Sequence, residues 1–291
     1  RPLRQVLSED LDITKPSDEA IEYLAGCAGD PDQAAALRAL AAAGADEGQD
    51  LLELLETYPS VRPEPASLAA VLGRLQPRLY SIASSPRAHR DEVHLTVGVV
   101  RYSRNDRPRQ GVASAFFADR LAAGEGVKVY IQPAHDFRLP DDGGASVIMV
   151  GPGTGIAPFR AFLQERQLRG DRGRNWLLFG NPNRASDFLY EEELAAFAAS
   201  GLLTRLDTAF SRDQAEKVYV QQRMVEQGAE LWAWLQAGAY FYVCGDAKRM
   251  ARDVDAALHR IARTHGGLSA AQAQRFIGQL AKDRRYLRDV Y

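Results

Sequence analysis

The stretch that decides the fold is Val147–Glu165, VIMVGPGTGIAPFRAFLQE. Val147 to Val150 is a short apolar run of the kind a parallel strand buried on both faces shows. Gly151, Gly153 and Gly155 follow in a turn where a Cβ would keep a ligand away, so backbone N–H groups can approach a phosphate. Pro158 falls where a first helical turn tolerates proline, and Phe159, Phe162 and Leu163 give the helix an apolar stripe. A helix N-terminus fed by such a turn suits an anion, because free N–H groups and partial positive charge converge there. The spacing is not the dinucleotide GxGxxG, and no Walker lysine follows. Taken alone, the turn serves equally well as a tight strand-to-helix connection.

Downstream of it, strands and helices alternate as a parallel sheet with covering helices requires. Strands are expected at Asn175–Gly180, Leu203–Ala209 and Tyr240–Cys244, and helices at Phe159–Arg169, Tyr190–Ala199, Tyr219–Gln227, Lys248–His265 and Ser269–Asp283. Arg288-Asp289-Val290-Tyr291 closes the chain as a tail. Upstream the pattern is β-rich. Arg78–Ser85 alternates and stops at Pro86, Val93–Tyr102 is dense in β-branched residues, and Val127–Ile131 reads as a further strand. A helix is expected from Gly111 through Leu121. The Asp141-Asp142-Gly143-Gly144 turn marks a domain boundary, giving segments 77–143 and 144–291. Residues 1–76 read as a helical module. Ser17 opens one helix and Gln33–Ala43 has high helix propensity. Asp50–Leu55 is apolar at helical spacing, and Pro59, Pro63 and Pro65 interrupt that pattern before Leu68–Leu75 resumes it.

At 291 residues the chain has room for two cores, and a formal charge of −2 argues against a general polyanion binder. Cys27 and Cys244 are too few for a disulfide framework and favour a reducing compartment. No 18-residue apolar run and no signal pattern is present, so a cytoplasmic protein is expected. The chain opens at Arg1 without Met, which points to a processed product or a fragment. His89, His94, His135, His259 and His265 show no ligand spacing, so no metal is expected.

Several separated motifs together resemble one family, the ferredoxin–NADP reductase-like half of diflavin reductases. RLYSIASS, TVGVVRY, GVAS, GPGTGIAPFRAF, SRD with Lys217-Val218-Tyr219-Val220-Gln221, YVCGD and the terminal Arg-Asp-Val-Tyr fall in that family's order and span essentially the whole chain. The nearest likeness is to the branch that serves NADPH-dependent sulfite reduction. The resemblance implies α/β plus β architecture: a partial antiparallel FAD-binding β-barrel with a helical connecting segment, then a doubly wound parallel-sheet NADP-binding domain. FAD and NADPH are the cofactors implied, with FMN on a domain outside this chain. The partners implied are that FMN domain, or a flavodoxin-like carrier, and a sulfite reductase hemoprotein. Neither nucleic acid nor membrane is implied as a partner.

By the same resemblance, Arg78, Tyr80 and Ser81 belong to the FAD site. A guanidinium suits the pyrophosphate, an aromatic ring stacks on the flavin, and a hydroxyl reaches its reactive edge. Thr96, Val97, Val99 and Tyr102 would lie along the same cofactor. Gly111, Val112, Ala113 and Ser114 would begin a helix facing its pyrophosphate. Gly153, Thr154 and Gly155 would cradle the pyrophosphate of NADP. Ser211, Arg212, Lys217 and Tyr219, with Gln221 and Asp246, would hold the rest of that nucleotide. Two cations, a hydroxyl and a ring suit a 2′-phosphate and a stacked adenine, and no acidic residue gripping a ribose 2′-OH is evident in that cluster. Ser81, Cys244, Asp289 and Tyr291 are the expected redox centre, with Tyr291 a gate over the flavin. Apart from the resemblance, each of these has a plainer reading: a core tyrosine, a charged surface loop, a buried small cysteine or a tail carboxylate.

The chain lacks the flavodoxin-like domain and the early barrel strands that precede the helical insertion in such proteins. An exposed edge and an incomplete core are the expected consequence. Two other readings stay in view: the flavoprotein of an assimilatory nitrate reductase or a P450-reductase-like protein, and a flavin-free docking module.

Overall fold

The computed structural model describes residues 1–44, 49–134 and 136–291; His135 lies outside them. Arg1–Arg78 forms one compact unit and Leu79–Tyr291 a second.

The first unit contains α1 (Leu3–Glu9), α2 (Asp18–Gly26), α3 (Pro31–Ala43), α4 (Leu51–Thr57) and α5 (Pro65–Val71). Its helix starts follow the side chains available. Ser17 Oγ accepts the Ala20 N–H at 3.2 Å, and Asp50 and Glu53 form a reciprocal capping box. Pro65, expected to interrupt a helix, opens α5 instead. Its missing N–H falls in the first turn, where none is needed, and the Glu64 carboxylate accepts the Ala66 and Ser67 N–H groups. Ile21, Leu24, Leu37, Leu54 and Leu68 pack into a closed apolar core.

In the second unit, β1 (Arg101–Arg104) and β2 (Arg107–Gln110) pair as an antiparallel hairpin. Asn105 and Asp106 both take positive φ at the turn, as a tight two-residue connection requires. Then α6 (Val112–Ala115) runs directly into a π-helical turn at Phe116–Arg120, so the expected helix forms but widens halfway. The other β expectations for this region are corrected. Ile82 and Leu95 form an isolated bridge, Ala83 N–H donates to His94 O at 2.8 Å, and only the end of Val93–Tyr102 enters a ladder. Residues 127–131 pair with no strand among the described residues, and Val129 and Ile131 are 79% and 70% exposed. A β-branched run becomes a strand only when a neighbour supplies the other half of its ladder.

The sheet is built from β3 (Val147–Val150), β4 (Asn175–Asn181), β5 (Arg205–Phe210), β6 (Tyr240–Gly245) and β7 (Tyr286–Val290). All its strands are parallel, in the order β5-β4-β3-β6-β7. A turn of 3₁₀ helix at Gly153–Ile156 joins β3 to α7 (Ala157–Arg169). Along the chain follow α8 (Arg184–Asp187), α9 (Glu191–Ala199), α10 (Val220–Glu226), α11 (Gly228–Gln236), α12 (Met250–Thr264) and α13 (Ala270–Lys282). Successive strand residues enter opposite cores. Ile148, Val150, Phe241 and Val243 face the layer that includes Met224, Leu258 and Ile277, while Val147, Met149, Tyr242 and Cys244 face Phe159 and Leu163 of α7. That two-sided burial explains the near-continuous apolar runs.

Two elements differ from expectation. The segment after Gln227 forms α11, whose Leu231, Trp234 and Leu235 are buried at helical spacing. The terminal segment is no loose tail: Tyr286–Val290 is an edge strand, with Cys244 registered against Asp289. The Asp141–Gly144 turn falls inside the second unit.

Candidate active site at the switch point of the sheet

The strand order reverses between β3 and β6, and in an open parallel sheet the crevice beyond the strand ends at such a point is where ligands bind. Here β3 delivers the glycine turn and β6 delivers Cys244-Gly245-Asp246. The two loops are locked together. A Cβ on Gly155 would lie 2.2 Å from Cys244 O, and one on Gly151 would lie 2.4 Å from Gly155 O and 2.6 Å from Phe159. Gly151 and Gly155 thus have a packing reason of their own to be glycine. Gly153 is the different one. It sits at φ +58°, and its missing Cβ would have only Asn181 Oδ1, at 4.0 Å, within reach. That leaves an open cradle of the kind a pyrophosphate needs.

Beside this turn the structure brings together three residues from distant parts of the chain. Ser81 Oγ donates to Asp289 Oδ2 at 2.8 Å, Cys244 Sγ donates to the same oxygen at 3.8 Å, and Ser81 Oγ stands 4.0 Å from Cys244 Sγ. Parallel pairing of β6 with β7 produces the Cys244–Asp289 half of this group. Cys244 is fully buried, and burial, with the neighbouring Asp289 carboxylate adding to it, pushes its thiol up to about 12. The thiol is a protonated donor at neutral pH. Tyr291 completes the group: its N–H and C=O bond Gly245 O and Ala247 N, and its hydroxyl lies 3.0 Å from Thr154 Oγ1. Burial raises the Tyr291 phenol above its ordinary value. The residue as a whole is 63% exposed, with its hydroxyl end anchored to the glycine turn.

On the barrel side, Tyr80 packs edge-on to Phe117 with ring centroids 5.8 Å apart. Thr96 Oγ1 meets Tyr190 OH at 2.6 Å, and a Cβ on Gly98 would reach Thr154 Cγ2 at 3.4 Å, so this segment runs beside the glycine turn. Val97 is half-buried, while Val99 and Tyr102 expose apolar surface. Ser114 Oγ accepts the Val100 N–H at 3.1 Å and, with Gly111, Val112 and Ala113, forms the start of α6. Arg78 ends the first unit, exposed, with its guanidinium donating to Gln76 O.

After β5, Ser211 and Arg212 are tied by their N–H groups to Asn181 O and Pro182 O, which leaves the side chains of Arg212 and Lys217 exposed. Tyr219 is 45% exposed at the N-cap of α10. Asp213 accepts the Arg184 N–H and is thereby engaged within the loop. Gln221 bonds Asp253 at 3.3 Å. Asp246 caps a helix at the same end of the sheet. Its carboxylate accepts the Arg249 and Met250 N–H groups at the start of α12, and those bonds hold it below the usual carboxylate range.

Two of the histidines meet a carboxylate. Ligand atoms of His89, Glu92 and His94 lie within 4.8 Å of one another. Arg160 Nη1 lies 3.0 Å from His94 Nδ1, and a guanidinium can only donate. Nδ1 therefore accepts, and Nε2 carries the proton it directs to Glu92 at 2.8 Å. A metal at Nε2 would force that proton onto Nδ1, against the Arg160 N–H. Sequence spacing concealed this trio because a loop, not a helix, folds it together.

The chain matches the FAD binding domain family over residues 1–116 and the oxidoreductase NAD-binding domain family over residues 149–256. The small antiparallel sheet and the five-stranded parallel sheet agree with these two matches, a FAD-binding domain followed by an NAD-binding domain of oxidoreductase type. The two matched domains, in this order along the chain, are the pair that the sequence resemblance implies. It is 54% identical over 224 residues to the sulfite reductase [NADPH] flavoprotein alpha-component of Yersinia enterocolitica, covering 77% of this chain and 37% of that protein. It is 47% identical over 297 residues to the protein of the same name from Sodalis glossinidius, covering 100% of this chain and 48% of that one. The chain thus spans about half, or less, of the length of these curated relatives. No helix among the described residues is long and apolar enough to cross a membrane.

Proposed function

We propose that the chain is the FAD- and NADPH-binding part of a sulfite reductase flavoprotein, receiving hydride from NADPH and passing electrons to an FMN carrier and then a hemoprotein. The observation that carries this reading is the meeting of Ser81, Cys244 and Asp289 beside the glycine turn at the switch point. When bound, FAD supplies the acceptor for hydride from the nicotinamide and releases electrons singly.

The residues present fit both groups. Gly153, Thr154 and Gly155 offer the cradle for the NADP pyrophosphate, and the exposed Arg212 and Lys217, with Ser211 and Tyr219, suit a 2′-phosphate and an adenine. Tyr80 and the exposed apolar side chains of Val99 and Tyr102 suit a flat aromatic cofactor, and the N–H groups of the Gly111–Ser114 helix start would suit its phosphates. Cys244 packs as a small neutral thiol where the nicotinamide is expected. Asp289 holds Ser81 and Cys244 by one oxygen and supplies negative charge near a ring that becomes cationic on oxidation. Tyr291 excludes water from this seam and swings aside for the nicotinamide.

The test is oxidation of NADPH and NADH by the full flavoprotein with an artificial acceptor. Arg212→Ala combined with Lys217→Ala is expected to narrow the preference for NADPH by at least about tenfold, since charge-assisted phosphate contacts are each worth about 1.5–3 kcal/mol. An unchanged NADPH/NADH ratio overturns the 2′-phosphate assignment. A protein that remains colourless with added FAD favours the docking-module reading. Reconstitution with sulfite reductase hemoprotein, against a nitrate reductase or a P450, decides the acceptor.

A further inference from the structure

We propose that Arg160 is the positioning residue for hydride transfer: it clamps the flavin-side segment 81–87 to α7, the helix that grows out of the nucleotide-binding turn. The inference rests on the proposed function, and nothing in the motif reading singled this residue out. Arg160 lies in the first turn of α7, and its side chain is 11% exposed. Nε donates to Glu193 Oε2 at 2.6 Å, and Nη1 donates to Ala83 O at 2.7 Å and to His94 Nδ1 at 3.0 Å. The guanidinium also lies 4.7 Å from the Tyr190 ring centroid. That ring is held by a backbone at φ +59°, an uncommon conformation for an aromatic residue, and its hydroxyl reaches Thr96.

The same helix repeats the grip one turn further on. Gln164 accepts the Ser85 N–H at 3.0 Å and donates to Glu193 at 2.8 Å. Glu165 accepts from Ser85 Oγ at 2.6 Å and Arg87 Nε at 2.7 Å. One rigid helix thus holds residues 83, 85 and 87, while the turn at its N-terminus holds Gly155 against Cys244 O. Ser81 stands two residues before Ala83. The distance between Ser81 and the Cys244 side of the crevice is consequently set through α7, and Arg160, bonded to Ala83 O, holds the point of segment 83–87 closest to Ser81 along the chain. Only a planar guanidinium reaches Glu193, Ala83 and His94 together; a lysine ammonium, a point charge on a flexible stem, cannot.

The experiment uses the full-length flavoprotein with its FAD. Two quantities are compared for wild type, Arg160→Leu and Arg160→Lys: the single-turnover rate of flavin reduction by NADPH, and the affinity for 2′-phosphoadenosine nucleotide in the absence of turnover. Amide hydrogen exchange over residues 81–87 is followed in each protein. Both variants are expected to reduce flavin about 10- to 100-fold more slowly, the size of effect that a misplacement of about 1 Å produces. Nucleotide affinity is expected to stay within about twofold, and exchange over 81–87 to rise in both. Should Arg160→Leu fail to fold, Glu193→Gln carries the same three expectations in weaker form. Wild-type rates in Arg160→Lys, unchanged exchange over 81–87, or a rate loss matched by lost nucleotide affinity would each overturn the positioning role. A wild-type protein that NADPH does not reduce overturns the proposed function instead.

Discussion

At the scale of single residues, the buried Cys244 thiol ties chemistry to stability. Its folded value near 12 lies above the ordinary 9.0, so the folded protein holds a proton that the unfolded chain releases in alkali. The stabilisation is complete below about pH 9 and is lost as pH rises toward 12. At about pH 10 the difference amounts to about 1.4 kcal/mol. Cys244→Ala is therefore expected to lose less stability than wild type between about pH 8 and pH 10, as measured by urea midpoints at both. Tyr242 and Tyr286, also raised by burial, add to the alkaline loss in both proteins and cancel in the comparison. In the sequence Cys244 was legible as a strand-end thiol beside Gly-Asp, and Asp289 as its companion only through the family. The hydrogen bonds among Ser81, Cys244 and Asp289 join positions up to 208 residues apart, a separation no local pattern encodes. Arg160 went unread for the same reason. Its partners lie in two irregular segments and on a second helix, and an arginine in a helix usually points to solvent.

Among the elements, the join between the glycine turn and the end of β6 is the most demanding. Gly155→Ala would drive a methyl group into Cys244 O, a backbone atom that cannot rotate away. We expect about 1–3 kcal/mol of lost stability, read as a lower urea midpoint, together with weakened nucleotide binding as the turn shifts. Gly153→Ala differs in cause: its neighbourhood is open, and the cost comes from φ +58°. Strong local signals made the sheet readable. β3, β4 and β6 are apolar on both faces, and the caps at Ser17, Asp50 and Ser269 mark where helices begin. β7 misled, because Tyr-Leu-Arg-Asp-Val has an ordinary, half-polar composition. It becomes a strand through the free edge of β6, which its own sequence does not announce.

For the whole molecule, the β segments upstream of the sheet have the apolar content of a barrel without its ladders. Leu79, Val93, Val129, Tyr130 and Ile131 are all more than half exposed. Exposed apolar side chains, where they adjoin, bind other apolar surfaces. The 291-residue chain on its own is expected to bind a hydrophobic fluorescent dye more strongly than the full-length flavoprotein does, and added FAD is expected to reduce the signal. Equal dye binding by the two proteins would count against this surface being covered in the longer one. By itself the sequence determined the alternation of strands and helices, the glycine turn and the family resemblance, because each is written in local periodicity or in contiguous motifs. Only the tertiary structure decided which side chains share the crevice, that the last strand closes the sheet edge, and that one helix grips both of its sides. Those outcomes depend on backbone pairing and close packing between segments far apart in the chain, where no residue's immediate neighbours carry the information.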